Sequence, residues 1–218
     1  LFTNNFKGYE VRKMILFVAI FGLTGCFMQP VWIPIEVIEN KCEMGDREIC
    51  IRLGSDYLYG AKGLNKDYAK AKRYFENIYN DKPKNDLIYF EACLGLGFMY
   101  TYGLGVEKSY EKAFELYSIS CNGGHIVACT NIGTMYYTGK GVQKDAIKGV
   151  EYFKQTCDLG RWDGCVKIAT HYLHSDKTKA LQYLKKSCEL GKNDQGVQRL
   201  SHENEMWKEA CQAYEELK

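Results

Sequence analysis

The residues best equipped for covalent chemistry here are cysteines. Ten occur in 218 residues, and three pairs share one pattern, Cys-x-x-Gly-x4-Cys: Cys42 with Cys50, Cys121 with Cys129, and Cys157 with Cys165. Eight residues folded across a tight helical corner can bring two Cα atoms to disulfide range, about 5.5 Å. Zinc is the competing chemistry, but structural zinc sites pair cysteines two to four residues apart. Reduced cysteines packed in a core are a third reading. Cys188 opens a fourth copy in which Gly196 replaces the second cysteine, and Cys211 is then its best remaining partner. Tyr79 holds the slot of the cysteine that would pair with Cys93, so Cys93 is expected to stay outside any bridge. So many cysteines suit an oxidising compartment.

Other reactive patterns are weaker. Ser109-Tyr110-Glu111-Lys112 is a Ser-x-x-Lys sequence, a nucleophile one helical turn from an activating amine, as in serine enzymes that acylate on β-lactams. Equivalent positions elsewhere in the chain read Asp67…Lys70, Asp145…Lys148 and Asp176…Lys179, which marks Ser109 as a helix N-cap and Lys112 as a solvated lysine. No Ser-Asp-Asn or Lys-Thr-Gly partner motif accompanies it. His171 and His174 share a helix face without a His-Glu-x-x-His motif and read as surface or interface residues. Gly-x-Gly loops lead into acidic caps, which repel phosphate, so nucleotide binding is not expected. No catalytic residue, cofactor or metal is assigned.

The elements that hold these residues repeat. Aligning Cys50, Cys93, Cys129 and Cys165 puts Leu53, Leu96, Ile132 and Ile168 three residues on. Gly54, Gly97, Gly133 and Ala169 follow at four, and Tyr57, Tyr100, Tyr136 and Tyr172 at seven. Offsets of three, four and seven trace one face of an α-helix. A glycine loop follows in three units (Gly60 and Gly63, Gly103 and Gly105, Gly139 and Gly141), then the cap, then a second helix carrying Lys-Ala and an aromatic pair such as Tyr74-Phe75 or Tyr152-Phe153. The fourth loop is shortened to Leu173-His174-Ser175-Asp176, and the connector near Asp81-Lys82-Pro83-Lys84 is lengthened. Helix pairs repeating every 36 residues cannot bury their apolar faces alone and must stack.

The pattern Leu-Gly-x-x-Tyr…Gly-x-Gly-Val…Asp-x-x-Lys-Ala…Tyr-Phe resembles Sel1-like repeats, relatives of the tetratricopeptide repeat, over roughly residues 41–200. The resemblance implies an all-α fold, a right-handed α-solenoid of four to five helix pairs stapled by disulfides. With its cysteines, the chain is similar to the Helicobacter cysteine-rich proteins, secreted solenoids with a disulfide in each helix pair. That second likeness implies, as an alternative function, penicillin binding or weak β-lactamase activity.

Residues 1–25 carry a different signal. Arg12-Lys13 precedes the apolar run Met14 to Phe21 and then Leu23-Thr24-Gly25-Cys26, the layout of a secretory signal. As a helix, Met14 to Thr24 would rise only about 17 Å, too short to span a bilayer. The last four residues resemble the lipobox of bacterial lipoproteins, which implies lipidation of Cys26. Residues 1–10 fit no signal layout and are expected to be an upstream extension before a start at Val11. Residues 26–40 are then a lipid-anchored linker and 41–218 the repeat domain. Phe27 after the cysteine favours the outer membrane by analogy with enteric sorting, on the periplasmic side of the envelope.

Without residues 1–25 the remaining chain has equal numbers of basic and acidic residues, which excludes the electrostatic footprint of a nucleic-acid binder. Stacked helix pairs offer an extended inner surface. Phe98, Thr101, Tyr102, Asn131, Thr134, Tyr137 and Thr138 fall outside the core register and are expected to line a concave face for a protein or peptide. The expected function is a membrane-anchored binding module; family resemblance adds a periplasmic immunity or adaptor protein as one version of it.

Overall fold

The computed structural model describes residues 13–17, 30–61, 63–81, 86–193 and 201–218, with side chains described from residue 33 onward apart from 193 and 201–204. Cys26 and the rest of the expected lipobox lie outside them, as does the centre of the lengthened connector. Lys13–Phe17 forms strand β1, antiparallel to β2, Pro30–Pro34, with Lys13 opposite Pro34. Ten helices follow among the described residues. They are α1 (Ile35–Glu43), α2 (Arg47–Tyr59), α3 (Tyr68–Asn80), α4 (Leu87–Tyr102) and α5 (Tyr110–Asn122). Then come α6 (Ile126–Thr138), α7 (Ala146–Asp158), α8 (Trp162–Tyr172), α9 (Lys177–Asn193) and α10 (Ser201–Leu217). Residues 35–40 of the expected linker are the first turns of α1, which buries Ile38 and Cys42.

The chain divides into two compact units, Leu1–Lys82 and Pro83–Lys218. In the first, α1 packs on α2 and α2 on α3; in the second, each helix from α4 to α10 packs on the next. Even-numbered α2, α4, α6 and α8 are the first helices of the four repeats. Each second helix starts as its sequence predicts, with the cap side chain accepting from the backbone N–H three residues on: Asp67 from Lys70, Ser109 from Lys112, Asp145 from Lys148 and Asp176 from Lys179.

Two tiers hold the helices of a pair together. In the first, the small residue lets an aromatic ring lie on the backbone. A methyl group on Gly97 would come within 2.7 Å of the Tyr117 ring, and one on Gly133 within 2.9 Å of Phe153; Gly54 meets Phe75 in the same way. The fourth unit swaps both members, packing Ala169 with Leu184. In the second tier the repeat tyrosine stacks on an aromatic ring of the next helix, Tyr57 on Tyr74, Tyr136 on Tyr152 and Tyr172 on Tyr183, with interplanar angles of 16°, 10° and 7°. The repeat lysine covers it. Lys70, Lys112, Lys148 and Lys179 set their Nζ atoms 4.8, 5.3, 4.2 and 5.1 Å from the ring centroids of Tyr57, Tyr100, Tyr136 and Tyr172. Lys112 is exposed, as its sequence position predicts. Its ammonium lies over Tyr100, an arrangement worth roughly 0.5–1 kcal/mol at an exposed site.

The corners between pairs carry the cysteines. Cys42–Cys50, Cys121–Cys129 and Cys157–Cys165 are bonded, with Cα atoms 4.9, 4.8 and 4.7 Å apart, and Cys188–Cys211 is bonded at 5.1 Å. At the three short corners Gly45, Gly124 and Gly160 take φ of 96°, 89° and 89°, where a side chain would be strained. The residue after each glycine donates its N–H back five residues, Asp46 to Lys41, His125 to Ser120 and Arg161 to Thr156, closing the helix end. Cys93 is fully buried and takes part in none of these four bridges.

Candidate functional site

The second unit contains an open cleft of about 220 Å³ between the first helices of successive repeats, α4 and α6, closed at one end by the loops that follow them. α4 contributes Phe98, Thr101 and Tyr102, and α6 contributes Asn131, Thr134 and Thr138. These are six of the seven residues expected to face a partner. Tyr102 is 61% exposed, with its ring 4.6 Å from that of Phe98, so an apolar surface is open to an incoming chain.

The threonines have a common geometry. Thr134 and Thr138 donate their hydroxyl protons to the carbonyls of Thr130 and Thr134, at 3.0 and 2.8 Å. Thr101 donates to the Gly97 carbonyl at 2.9 Å and lies 3.1 Å from the Tyr117 hydroxyl. With their protons committed inside the helix, the oxygens retain acceptor capacity, while the Asn131 amide can both donate and accept.

Tyr137, the seventh expected residue, is not in the cleft. Its ring sits 5.9 Å from Phe153, and its hydroxyl is 3.3 Å from His171 Nδ1. His171 in turn meets the Tyr172 ring edge-on at 5.0 Å. This histidine is therefore an interface residue between repeats.

Sequence reasoning missed the basic end of the cleft. Lys108 and Lys140, from the loops after α4 and α6, line it together with Tyr110. Their Nζ atoms stand 4.7 and 5.4 Å from the Tyr110 ring centroid. The Lys108 ammonium, followed by that of Lys140, holds the Tyr110 phenol below its ordinary value. The loop geometry explains the approach: Gly141, at φ 73°, lies against the Tyr110 carbonyl, where any side chain would collide. Among the described residues neither lysine has a carboxylate within salt-bridge distance, unlike Lys70 with Glu39 or Lys186 with Asp158.

Ser109 is a helix cap. Its Oγ accepts from the Lys112 N–H at 3.2 Å and donates to Glu111, while the Lys112 ammonium is over Tyr100. In the first unit Glu39 takes hydrogen bonds from Tyr57 at 2.6 Å and Lys70 at 2.7 Å. Burial alone would raise the Glu39 carboxyl, but these two donors outweigh it and hold it low. Burial, then the neighbouring Glu39, pushes the Tyr57 phenol up to about 12. This network ties α1 to α2 and α3. Among the described residues no cluster of three or more His, Cys, Asp or Glu could hold a metal, and no helix is long and apolar enough to cross a membrane.

Comparison with known proteins gives the same architecture. A curated relative, the ERAD-associated E3 ubiquitin-protein ligase component HRD3B of Arabidopsis thaliana, is 30% identical over 88 residues, which are 40% of this chain and 12% of that protein. A solved protective antigen of uropathogenic Escherichia coli strains, displaying an SLR fold, is 27% identical with a TM-score of 0.61, over 73% of this chain and 34% of that one. This chain thus spans only a small part of that curated relative and about a third of the antigen. The Helicobacter pylori cysteine rich protein B is 27% identical over 60% of this chain and 89% of its own, with a TM-score of 0.44. The immunity protein Pa5087 of Pseudomonas aeruginosa shares the fold at 19% identity and a TM-score of 0.52, over 84% of this chain and 71% of its own. The Sel1 repeat profile matches residues 48–77, 90–125, 126–160 and 169–192, more than half of the chain and in phase with the helix pairs described above. The protein belongs to the Sel1 repeat family.

Proposed function

We propose that this chain is a protein- or peptide-binding module of the bacterial cell envelope, anchored through a lipid on Cys26 and working on the periplasmic side, with the outer membrane as its site. Sel1 repeats generally mediate protein–protein interaction. The observation that carries the reading is the α4–α6 cleft. Two successive repeats present exposed Tyr102, Phe98 and a row of polar side chains on one surface, with a packed and disulfide-bridged scaffold behind it. A rigid backing limits the ordering cost of binding, and the apolar ring supplies a point of anchorage. Neutralising a toxin in the periplasm, or acting as an adaptor between envelope proteins, are both forms of this function. The Pseudomonas immunity protein has the fold in common.

A photo-crosslinking residue placed at Tyr102 in cells tests the reading. A discrete adduct is expected from position 102, with none from the exposed Leu159 at the α7–α8 corner. No adduct at 102, or equal adducts at both positions, would refute it.

A further inference from the structure

The cleft's chemistry narrows its partner. Its lining contains two ammonium groups and no carboxylate. Several lysines elsewhere in the array are paired with an acid, Lys70 with Glu39, Lys154 and Lys186 with Asp158, and Lys179 with Asp176, while Lys112 and Lys148 each rest on a ring of their own. Lys108 and Lys140 instead flank one tyrosine ring, and among the described residues no acid is paired with them. Two like charges brought to one ring without a counter-charge leave a site that an incoming anion completes.

The register of the first helices shows the same bias. Two, five and nine residues after the aligned cysteine come Arg52, Ser55 and Tyr59 in α2, Gly95, Phe98 and Tyr102 in α4, Asn131, Thr134 and Thr138 in α6, and Lys167 and Thr170 in α8 with His174 in the turn just after it. No Asp or Glu occupies any of these twelve positions, although the chain has 27 acidic residues. On an ideal helix these three offsets lie within about 60° of one another, so they form one stripe. The first helices do carry acids nearer their start, Glu48, Glu91 and Asp163, each two residues before the aligned cysteine and about one turn short of these positions. The second helices carry others, such as Glu111 and Glu115 on α5; the cleft lining itself has none.

Building on the binding function proposed above, we infer that the α4–α6 cleft receives an extended acidic segment of a partner protein. Its carboxylates lie at Lys108 and Lys140, and an apolar side chain rests on Phe98 and Tyr102. The segment's backbone N–H groups donate to the Thr134 and Thr138 oxygens, and the Asn131 amide meets its carbonyls. Tyr110, between the two lysines, offers its phenol as a donor to the same carboxylate.

The test uses fluorescence anisotropy with two labelled peptides, one alternating glutamate with phenylalanine and serine, the other with lysine in place of glutamate. The disulfide-intact protein is expected to bind the acidic peptide at least about tenfold more tightly than the basic one, with affinity falling as salt is added. In the double variant Lys108→Glu/Lys140→Glu this preference is expected to reverse. Both side chains are exposed, and far-ultraviolet circular dichroism confirms that the helices remain. Equal or tighter binding of the lysine peptide, lost on Phe98→Ala/Tyr102→Ala, overturns the charge assignment and leaves the binding function standing. Binding of neither peptide also overturns it, and the crosslink from position 102 then decides the binding function separately.

Discussion

Gly97→Ala adds one methyl group where α4 meets α5. Its carbon would stand 2.7 Å from Cδ1 and Cε1 of Tyr117, a ring only 2% exposed whose hydroxyl is 3.1 Å from Thr101. The ring must move or the helices must part. Overpacking of this kind costs about 1–3 kcal/mol, and losing the tyrosine–threonine hydrogen bond about 1 kcal/mol more. Replacing glycine by alanine inside a helix returns about 1 kcal/mol. The expected net loss is about 1–3 kcal/mol, read from urea unfolding with the disulfides intact. The fourth repeat supplies the control, since it pairs Ala169 with Leu184. Tyr117→Leu alone loses buried ring contacts, yet combined with Gly97→Ala it should recover stability relative to the sum of the single changes by at least about 0.5 kcal/mol. A neutral Gly97→Ala, or a double variant no better than additive, would refute the claim that ring and small residue are matched across the pair.

Other outcomes follow from the same structure. Cys26→Ala should release the protein from the membrane fraction; unchanged fractionation would refute the anchor. Replacing Cys157 and Cys165 together by serine should cost about 2.5 kcal/mol on the chain-entropy relation for an eight-residue loop, measured against the bridged protein, while peptide mapping without reduction should recover the four bridges described above. Ser109→Asp should change stability by less than about 0.5 kcal/mol, because Asp67, Asp145 and Asp176 already make the equivalent cap. Tyr57 is raised to about 12 against an ordinary value of 10. A raised folded value means that its stabilisation is full below pH 10 and is lost as pH climbs toward 12. Tyr57→Phe should therefore remove part of the alkaline destabilisation between those values, followed by tyrosinate absorbance and helical signal together.

Much of this was legible in the sequence because the forces that build a repeat act at fixed offsets. Leucine, small residue and tyrosine at three, four and seven residues from a cysteine can only share a helix face, and three of the four bridges follow from a corner of constant length. Tyr137 shows where offsets alone mislead. It stands eight residues after Cys129, and Thr101 stands eight after Cys93. That slot is turned about 100° from the stripe at two, five and nine, so it points toward the second helix of its own pair. Threonine is short enough to meet Tyr117 and still border the cleft, whereas tyrosine fills the contact with Phe153. Lys108 and Lys140 left no periodic trace because they sit in loops, and their convergence on Tyr110 depends on how two loops pack. Lys112 is exposed as its repeat position predicts, but its place over the Tyr100 ring has no signature in local spacing.

The loss of one cysteine has a mechanical consequence. Among the described residues every disulfide falls within Leu1–Lys82 or within Pro83–Lys218, and none spans the division between them. That division lies between Tyr79, which replaces a cysteine, and Cys93, which would have been its partner. A chain tethered at its amino end and pulled from its far end carries the same load through every junction. Where a bridge is present, the eight-residue loop it closes cannot lengthen, and the corner yields only after the helices themselves come apart. At the Tyr79–Cys93 junction none of the four described disulfides closes the loop. Under tension this protein should first extend there, giving way as a fuse between two stapled blocks.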